Sequence, residues 1–416
     1  MNWKLVIKVI GLLLFIEAGL MALCMGVGLY YDEYCEHFLW PISISTLLGC
    51  AGWAIGKNAS ANMGRKDGYL VVSLVWVIFT LIGMLPFLMS GSIPDVAGAL
   101  FETMSGFTST GATVIDNCDI QPHSILMWRS LAQWIGGIGI IFFTIAILPA
   151  FGVGEVKLFA AEATGPMHDK VHPRISITAK WIGTVYLALT LLCITSFYLC
   201  GMSPFDAVNY ALVTTATGGF GTHSAMLHDV YNSPLLEYVI SFFMFISGVN
   251  YTLIYYTILK GRIKKFLANV ELRCYLTIVI GTVLTCTIIL MVARTDFSSV
   301  DTTSVGTFFS TLELAFRESL FTIISLQTTT GLATCDYTLW PVSAMPILLF
   351  VMFAGACSGS TSGGFKCIRW SIIYRVARNE FKRILHPRAM LPVRMGGTIL
   401  PTQIQQTLLA FVALLS

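Results

Sequence analysis

Charge is scarce in this chain. Only 11% of its 416 residues are Asp, Glu, Lys or Arg, while 56% are apolar. No soluble core needs that ratio, so a soluble enzyme or binding module is excluded and a polytopic, all-α membrane protein is expected. A large net charge is also missing. The value of +3 at pH 7 makes no case for nucleic acid as a partner. The eleven cysteines form no C-x-x-C pair, and Cys24, Cys50, Cys193 and Cys286 sit in apolar runs. That usage argues for small buried hydrophobes over a disulfide framework or zinc site. A cleavable leader is not expected either. Lys4 and Lys8 open an apolar run of roughly 20 residues with no small-residue cleavage site, which is long enough to be a first transmembrane helix in the lipid bilayer.

Long apolar runs are plentiful. They fall near 5–30, 39–56, 68–90, 124–150, 179–200, 233–259, 275–293 and 341–379. Three segments, near 97–107, 205–214 and 312–326, are too short or too polar to cross alone. Each leads into a copy of T-x-T-G: Thr108-Ser109-Thr110-Gly111, Thr215-Ala216-Thr217-Gly218 and Thr328-Thr329-Thr330-Gly331. Each also carries an aromatic residue near an acid, at Phe101-Glu102, Phe205-Asp206 and Phe316-Arg317-Glu318. One T-x-T-G is weak, because Thr and Gly are common at helix contacts in lipid. Three in matching settings imply a repeated span, re-entrant helix, loop and span. Such loops replace an ion's water with backbone carbonyls, and glycine supplies the conformational freedom that aims them. These twelve residues are the candidate cation filter.

Alternating spans from a cytoplasmic N-terminus put all but Arg129, Arg294 and Arg317 of the 25 Lys+Arg inside. The positive-inside rule therefore orients the chain. Acids from Asp32 to Asp336 collect on the other side, where they either steer cations or merely mark loops without basic residues.

A second element interrupts the last long run: Gly355-Ala356-Cys357-Ser358-Gly359-Ser360-Thr361-Ser362-Gly363-Gly364. Glycine costs about 1 kcal/mol against alanine in a helix, so a broken helix with a loop at membrane depth is expected. Its place after the third T-x-T-G makes it a candidate gate, with close helix packing through small residues as the alternative. Lys366 at its edge is expected to snorkel toward the cytoplasm. Glu17, inside the first span, is expected to make a structural hydrogen bond. Gln133 and Asn250 are expected to join helices. Ser358 and Ser360 raise an intramembrane serine hydrolase as an alternative, but the downstream His386 lies in a basic stretch, out of place for a base.

These segments resemble the Trk/Ktr/HKT superfamily of potassium transporters, the TrkH/TrkG branch above all. The resemblance runs through Phe107–Thr113, Trp128–Gly137, Ala161–Pro166, Thr217–His223, Thr330–Thr334, Leu339–Pro341 and Gly363–Lys366. It implies span–loop–span repeats around one pore, preceded by two extra helices. The boundaries are then 1–66 for the N-terminal helices, 67–152 for repeat 1, 153–265 for repeat 2 with a cytoplasmic linker, 266–384 for repeat 3 with its gating loop, and 385–416 for the start of repeat 4. It further implies K⁺ uptake across the cytoplasmic (inner) membrane, with K⁺ as the transported ion at the filter and no cofactor. A homodimer and a cytosolic nucleotide-binding regulatory subunit are the implied partners. The gate implied is Gly355, Ser358, Gly359, Ser360, Thr361, Ser362, Gly363, Gly364 and Lys366.

The match departs from that pattern in two ways. No copy reads T-V-G-Y-G, so K⁺ selectivity is expected to be weaker than a dedicated channel's, and a Na⁺-permeable or Na⁺-coupled relative stays open. The family has four filters, and three are found. The run from Thr402 to Ser416 reaches roughly 21 Å at 1.5 Å per residue, short of a ~30 Å hydrocarbon core. A longer protein, or a non-conducting assembly subunit completed by another polypeptide, is expected on that ground.

Overall fold

The computed structural model describes residues 1–59, 64–142, 175–261, 263–294, 305–386, 391–395 and 398–415. The Ala161–Pro166 motif lies outside them. Apart from a two-residue antiparallel pairing of Arg394–Met395 with Thr398–Ile399, the described residues are helices, turns and loops. Among the described residues, five helices are long and apolar enough to cross a membrane, and a bent pair would make a sixth.

The chain divides into two compact units. The first holds the described residues up to Phe142 and from Thr190 to Ala225. Helices α1 (Trp3–Tyr30) and α2 (Glu36–Ile55) form an antiparallel pair. They touch through small residues: a β-carbon on Gly11 would lie 2.9 Å from the Gly49 carbonyl oxygen. Ser45 Oγ donates to Leu14 O at 2.8 Å across the same seam. Without a hydrophobic drive between helices in lipid, close backbone approach of this kind supplies the packing energy.

Next come α3 (Arg65–Gly83), α4 (Leu85–Ser90), the short α5 (Val96–Phe107) and α6 (His123–Phe142). Asp95 caps α5 by accepting from Gly98 N at 2.8 Å. Trp128 of α6 stacks edge-on against Phe107 and donates from Nε1 to Gly83 O at 2.9 Å, so α3, α5 and α6 share one core. The helix α7 (Ile175–Leu199) leads into α8 (Pro204–Ala216). Ser203 and Pro204 start α8 where a missing N–H and a hydroxyl acceptor suit a helix N-terminus.

The second unit holds Ile175–Leu189 and the described residues from Met226 on. It contains α9 (Leu227–Tyr231), α10 (Pro234–Ser247), α11 (Tyr251–Lys260), α12 (Ile263–Leu267), α13 (Val270–Arg294), α14 (Val305–Gln327), α15 (Met345–Ala354), α16 (Cys367–Leu385) and α17 (Thr402–Leu415). Two findings differ from expectation. The run 233–259 is not one straight span: α10 and α11 meet at 100° around Gly248–Asn250. The third short helix, expected over 312–326, is the 23-residue α14. Its charged middle is paired, with Arg317 on Glu313 at 3.0 Å and Glu318 on Arg294 at 2.6 Å, which keeps helix continuous through a stretch too polar to read as a span.

Candidate functional site

The first and third T-x-T-G segments fold into the same turn. Ser109 N and Thr110 N donate to Gly106 O and Ser105 O, both at 2.9 Å. Thr329 N and Thr330 N donate to Leu326 O at 3.1 Å and Ser325 O at 2.8 Å. Ser109 and Thr329 take φ +53° and +56°, and Gly111 and Gly331 take +79° and +83°. Thr108 Oγ1 donates to Met104 O at 2.7 Å and lies 2.8 Å from Thr110 Oγ1. Thr328 Oγ1 donates to Ile324 O at 2.7 Å and lies 2.7 Å from Thr330 Oγ1. Ser105 and Ser325 close the turns on Ala112 O and Leu332 O, each at 2.6 Å. Alternating left-handed residues take this backbone out of the helical ladder. Among the described residues, the carbonyls of Ser109, Thr110, Gly111, Thr329, Thr330 and Gly331 accept no hydrogen bond. Ser109 and Thr330 are buried and the others partly or fully exposed, so these turns hold a row of carbonyls free to accept a further ligand.

The second turn is the same, one residue later. Thr217 N donates to Thr214 O at 3.2 Å and Gly218 N to Val213 O at 3.0 Å, with φ +52° at Thr217 and +87° at Gly219. Its equivalents of Thr108–Gly111 are therefore Ala216, Thr217, Gly218 and Gly219. Thr215 belongs to the last turn of α8, where its Oγ1 donates to Ala211 O at 2.9 Å. The Gly218-Gly219 pair lets the left-handed glycine position fall on its second member.

The first two turns face one another. A β-carbon on Gly111 would lie 2.1 Å from Gly218 O. Gln133 of α6 holds them: its Nε2 donates to Gly218 O at 2.7 Å, its Oε1 accepts from Phe220 N at 3.2 Å, and its own carbonyl accepts from Ser109 Oγ at 3.3 Å. It braces the backbone of the first two turns rather than joining helices.

The acid of each short helix grips the strand leaving its turn in the first two repeats. Glu102 accepts from Thr113 Oγ1 at 3.0 Å, Val114 N at 2.9 Å and Arg129 Nε at 2.8 Å. Arg129 also donates to Gly221 O at 3.1 Å and lies over the Phe220 ring at 4.2 Å. Asp206 accepts from Thr222 Oγ1 at 2.7 Å and pairs with His223 at 3.3 Å. In the third repeat Arg317 pairs with Glu237 at 2.8 Å. Arg129 and Arg317, two of the residues left outside by the charge rule, are thus buried braces and not loop charges. Arg129→Met is expected to cost about 3–5 kcal/mol, because it strands the buried Glu102 carboxylate. A thermal melt of the purified protein checks this, and Glu102→Gln in the same chain should recover part of the loss.

His223 bridges Asp206 and Asp119, the latter at 2.9 Å. Burial lowers its pKa, but hydrogen bonds and charge from Asp119 and Asp206 outweigh that and raise it. The His223 hydrogen bond in turn holds the Asp119 carboxyl below its usual range. A raised histidine pKa stabilises the fold fully below the unfolded value near 6.5 and loses that contribution as pH rises through the folded value. The lowered Asp119 adds stability above its unfolded value, lost as pH falls through the folded one. Melting temperature is therefore expected to fall as pH is raised through the folded His223 pKa, and His223→Asn should flatten that slope.

In the second unit the glycine-rich run is a closed loop against the third turn. Gly355 and Gly364 cross at its neck, where a β-carbon on Gly364 would lie 2.7 Å from Gly355 Cα. From Gly355 to Ser362 the loop is buried. Gly363 N donates to Thr329 Oγ1 at 2.6 Å, and Gln327 Nε2 to Gly355 O at 3.3 Å. The bend between α10 and α11 supplies the other wall. Cys357 N donates to Gly248 O at 3.0 Å, Tyr251 N to Gly359 O at 3.1 Å, and Asn250 Nδ2 to Ser358 O at 2.7 Å. Ser360 Oγ is turned back on Cys357 O at 2.6 Å, and Thr361 Oγ1 reaches Ser247 O at 3.4 Å.

Glu271, in the first turn of α13, is a site residue that sequence reasoning missed. It accepts from Ser358 N at 2.6 Å and from Ser358 Oγ at 3.3 Å, and it attracts Lys366. A carboxylate opening an apolar run, Val270-Glu271-Leu272, was the available signal. Lys366 does not snorkel: its Nζ donates to Ser362 O, and its backbone holds φ +75°. A left-handed non-glycine residue costs about 1–3 kcal/mol and persists only where its surroundings impose it. Glu17 lacks the hydrogen bond expected of it. It is buried, and neither carboxyl oxygen has a partner among the described residues, since its buried α1 neighbours Leu14, Ala18 and Met21 carry no side-chain donor.

Residues 37–416 match the family described as "TrkH: Cation transport protein". The chain belongs to this family. It is 34% identical to the Trk system potassium uptake protein TrkH of Escherichia coli (strain K12), over 99% of this chain and 83% of that protein. TrkG of the same strain is 33% identical, over 98% of this chain and 82% of that one, and TrkI of Halomonas elongata is 30% identical, over 99% and 80%. The crystal structure of the potassium transporter TrkH from Vibrio parahaemolyticus superposes with a TM-score of 0.85 at 32% identity, covering 99% of this chain and 83% of that one. TrkH family membership makes the chain a membrane transport protein.

Proposed function

We infer that this chain takes up potassium through its three T-x-T-G turns, with the Gly355–Gly364 loop as the gate. The observation that carries the reading is the row of unpaired carbonyls in the first and third turns, with a second turn of matched geometry and the glycine-rich loop bonded to Thr329 of the third. Carbonyls alone are neutral ligands, suited to a large monovalent cation that sheds water readily. The K⁺ ligands proposed are the carbonyls of Thr108, Ser109, Thr110 and Gly111, of Ala216, Thr217, Gly218 and Gly219, and of Thr328, Thr329, Thr330 and Gly331. The threonine hydroxyls shape the turns through their own hydrogen bonds. Inner-membrane location, a cytoplasmic N-terminus, a homodimer and a nucleotide-binding regulator on the cytosolic face complete the proposal.

The test is K⁺ flux into vesicles holding the purified protein, against protein-free vesicles. Flux equal to the blank sinks the reading, and replacing K⁺ by Na⁺ decides between potassium uptake and a Na⁺-permeable relative. Gly218→Ser places a β-carbon 2.4 Å from the Gln133 amide and is expected to displace that brace and shift the K⁺/Na⁺ flux ratio about tenfold. An unchanged ratio would remove the second turn from the ion path.

A further inference from the structure

We propose that a groove beside the gating loop binds one anionic glycerophospholipid. The groove, about 460 Å³, lies between α13 and α16 with Phe350 of α15 beside it. Its polarity changes along one direction. Ile278, Phe350 and Trp370, with Thr277 and Cys274 beside them, make the more apolar end, Ser371 follows, and Arg375 and Arg378, with Val270 and Tyr374, make the cationic end. Trp370 and Arg378 are eight residues apart on α16, about 12 Å at 1.5 Å per residue. That length is comparable with the ~15 Å from bilayer midplane to headgroup region. An acyl chain at the apolar end would therefore bring a phosphodiester to the two guanidinium groups, whose forks suit phosphate oxygens.

Three further observations favour a lipid over a second helix. No acidic residue lines the groove among the described residues, so nothing neutralises the arginines from within. Arg375 gives one bond to Arg394 O at 3.0 Å and keeps its remaining donors, while Arg378 is exposed. Trp370 Nε1 is buried without a hydrogen-bond partner among the described residues, a donor suited to an ester carbonyl. Basic pockets between transmembrane helices are a recurrent headgroup site. The adjoining face of α16, through Ile368 and Ile372, already packs on Val393, Met395, Leu400 and Leu408, so that side of the helix is covered.

The site also touches the proposed gate. Trp370 packs against Phe365 at 5.4 Å and Phe353 at 6.1 Å, the residues flanking the loop. The inference rests on the membrane fold and on this proximity, and its test does not need ion flux.

The protein is exchanged into phosphatidylcholine vesicles with or without phosphatidylglycerol, and the lipid retained is read by native mass spectrometry after extraction. Phosphatidylglycerol is expected to be retained over phosphatidylcholine, and Arg375→Gln with Arg378→Gln should lower that preference about thirtyfold. Ile278→Trp, which fills the apolar end and leaves both arginines, should reduce retention as well. Equal retention of both lipids by the unaltered protein overturns the proposal. So does loss of the preference on adding inorganic phosphate, which would make the site one for a free anion. Efficient crosslinking between copies carrying Tyr374→Cys would make the groove an interface between two chains and overturn it too. Lipid retention with no K⁺ flux would leave this site standing and remove the transport reading, so the two failures are distinguishable.

Discussion

Glu271→Ala is expected to raise resting K⁺ flux about tenfold to a hundredfold in vesicles without any regulator. The carboxylate accepts from both the amide and the hydroxyl of Ser358, at the middle of the loop, and attracts Lys366 at its end. Hydrogen bonds to a charged group are worth about 1.5–3 kcal/mol each. A closed state that loses the equivalent of one such bond becomes less favoured by about the factor predicted, provided the open loop does not make it. Glu271→Gln keeps an acceptor for Ser358 N and should open less. Asn250→Ala removes the bond to Ser358 O from the other wall and should act in the same direction. Because both residues hold Ser358, their combined effect should depart from the product of the single effects. Unchanged resting flux in a Glu271→Ala protein that melts normally would show that the loop is not held shut here.

Much of this was readable in the chain itself. The three helices that lead into the turns announce themselves by their endings, and the caps at Asp95 and Ser203-Pro204 fix where the two short ones begin, while the length of α14 did not show. The glycine-rich break also reads directly, since ten small residues cannot hold a helix in an apolar run. What escaped depends on partners distant in sequence. Thr215–Gly218 matches T-x-T-G letter for letter, yet the turn forms one residue on because the adjacent Gly219 can take the left-handed position. Asn250 looks like a polar residue in an apolar span until the chain bends there and its side chain meets Ser358, 108 residues away. Lys366 has a stem long enough to reach water, but Ser362 offers a closer anchor. Glu17 escaped in the opposite sense: a membrane carboxyl usually has a partner, and among the described residues the helix packing supplies none.

The same comparison of turns predicts unequal answers to one substitution. Gly111→Ala and Gly331→Ala both force alanine to a left-handed φ, +79° and +83°, at about 1–2 kcal/mol each. Their surroundings differ. At Gly111 the new β-carbon would lie 2.1 Å from Gly218 O, whereas at Gly331 nothing described lies within 4 Å. Gly111→Ala must therefore push two turns apart and strain the Gln133 brace, in addition to the backbone cost. Its K⁺ flux is expected to fall about a hundredfold or more, and its melting temperature to drop by several degrees, about what a further 1–3 kcal/mol of overpacking produces. Gly331→Ala should fold with only the backbone penalty and lose less flux. Equal stability losses would mean that the first two turns do not meet as closely as the Gly111–Gly218 approach requires. A larger loss at Gly331 would move the tightest part of the path to the third turn.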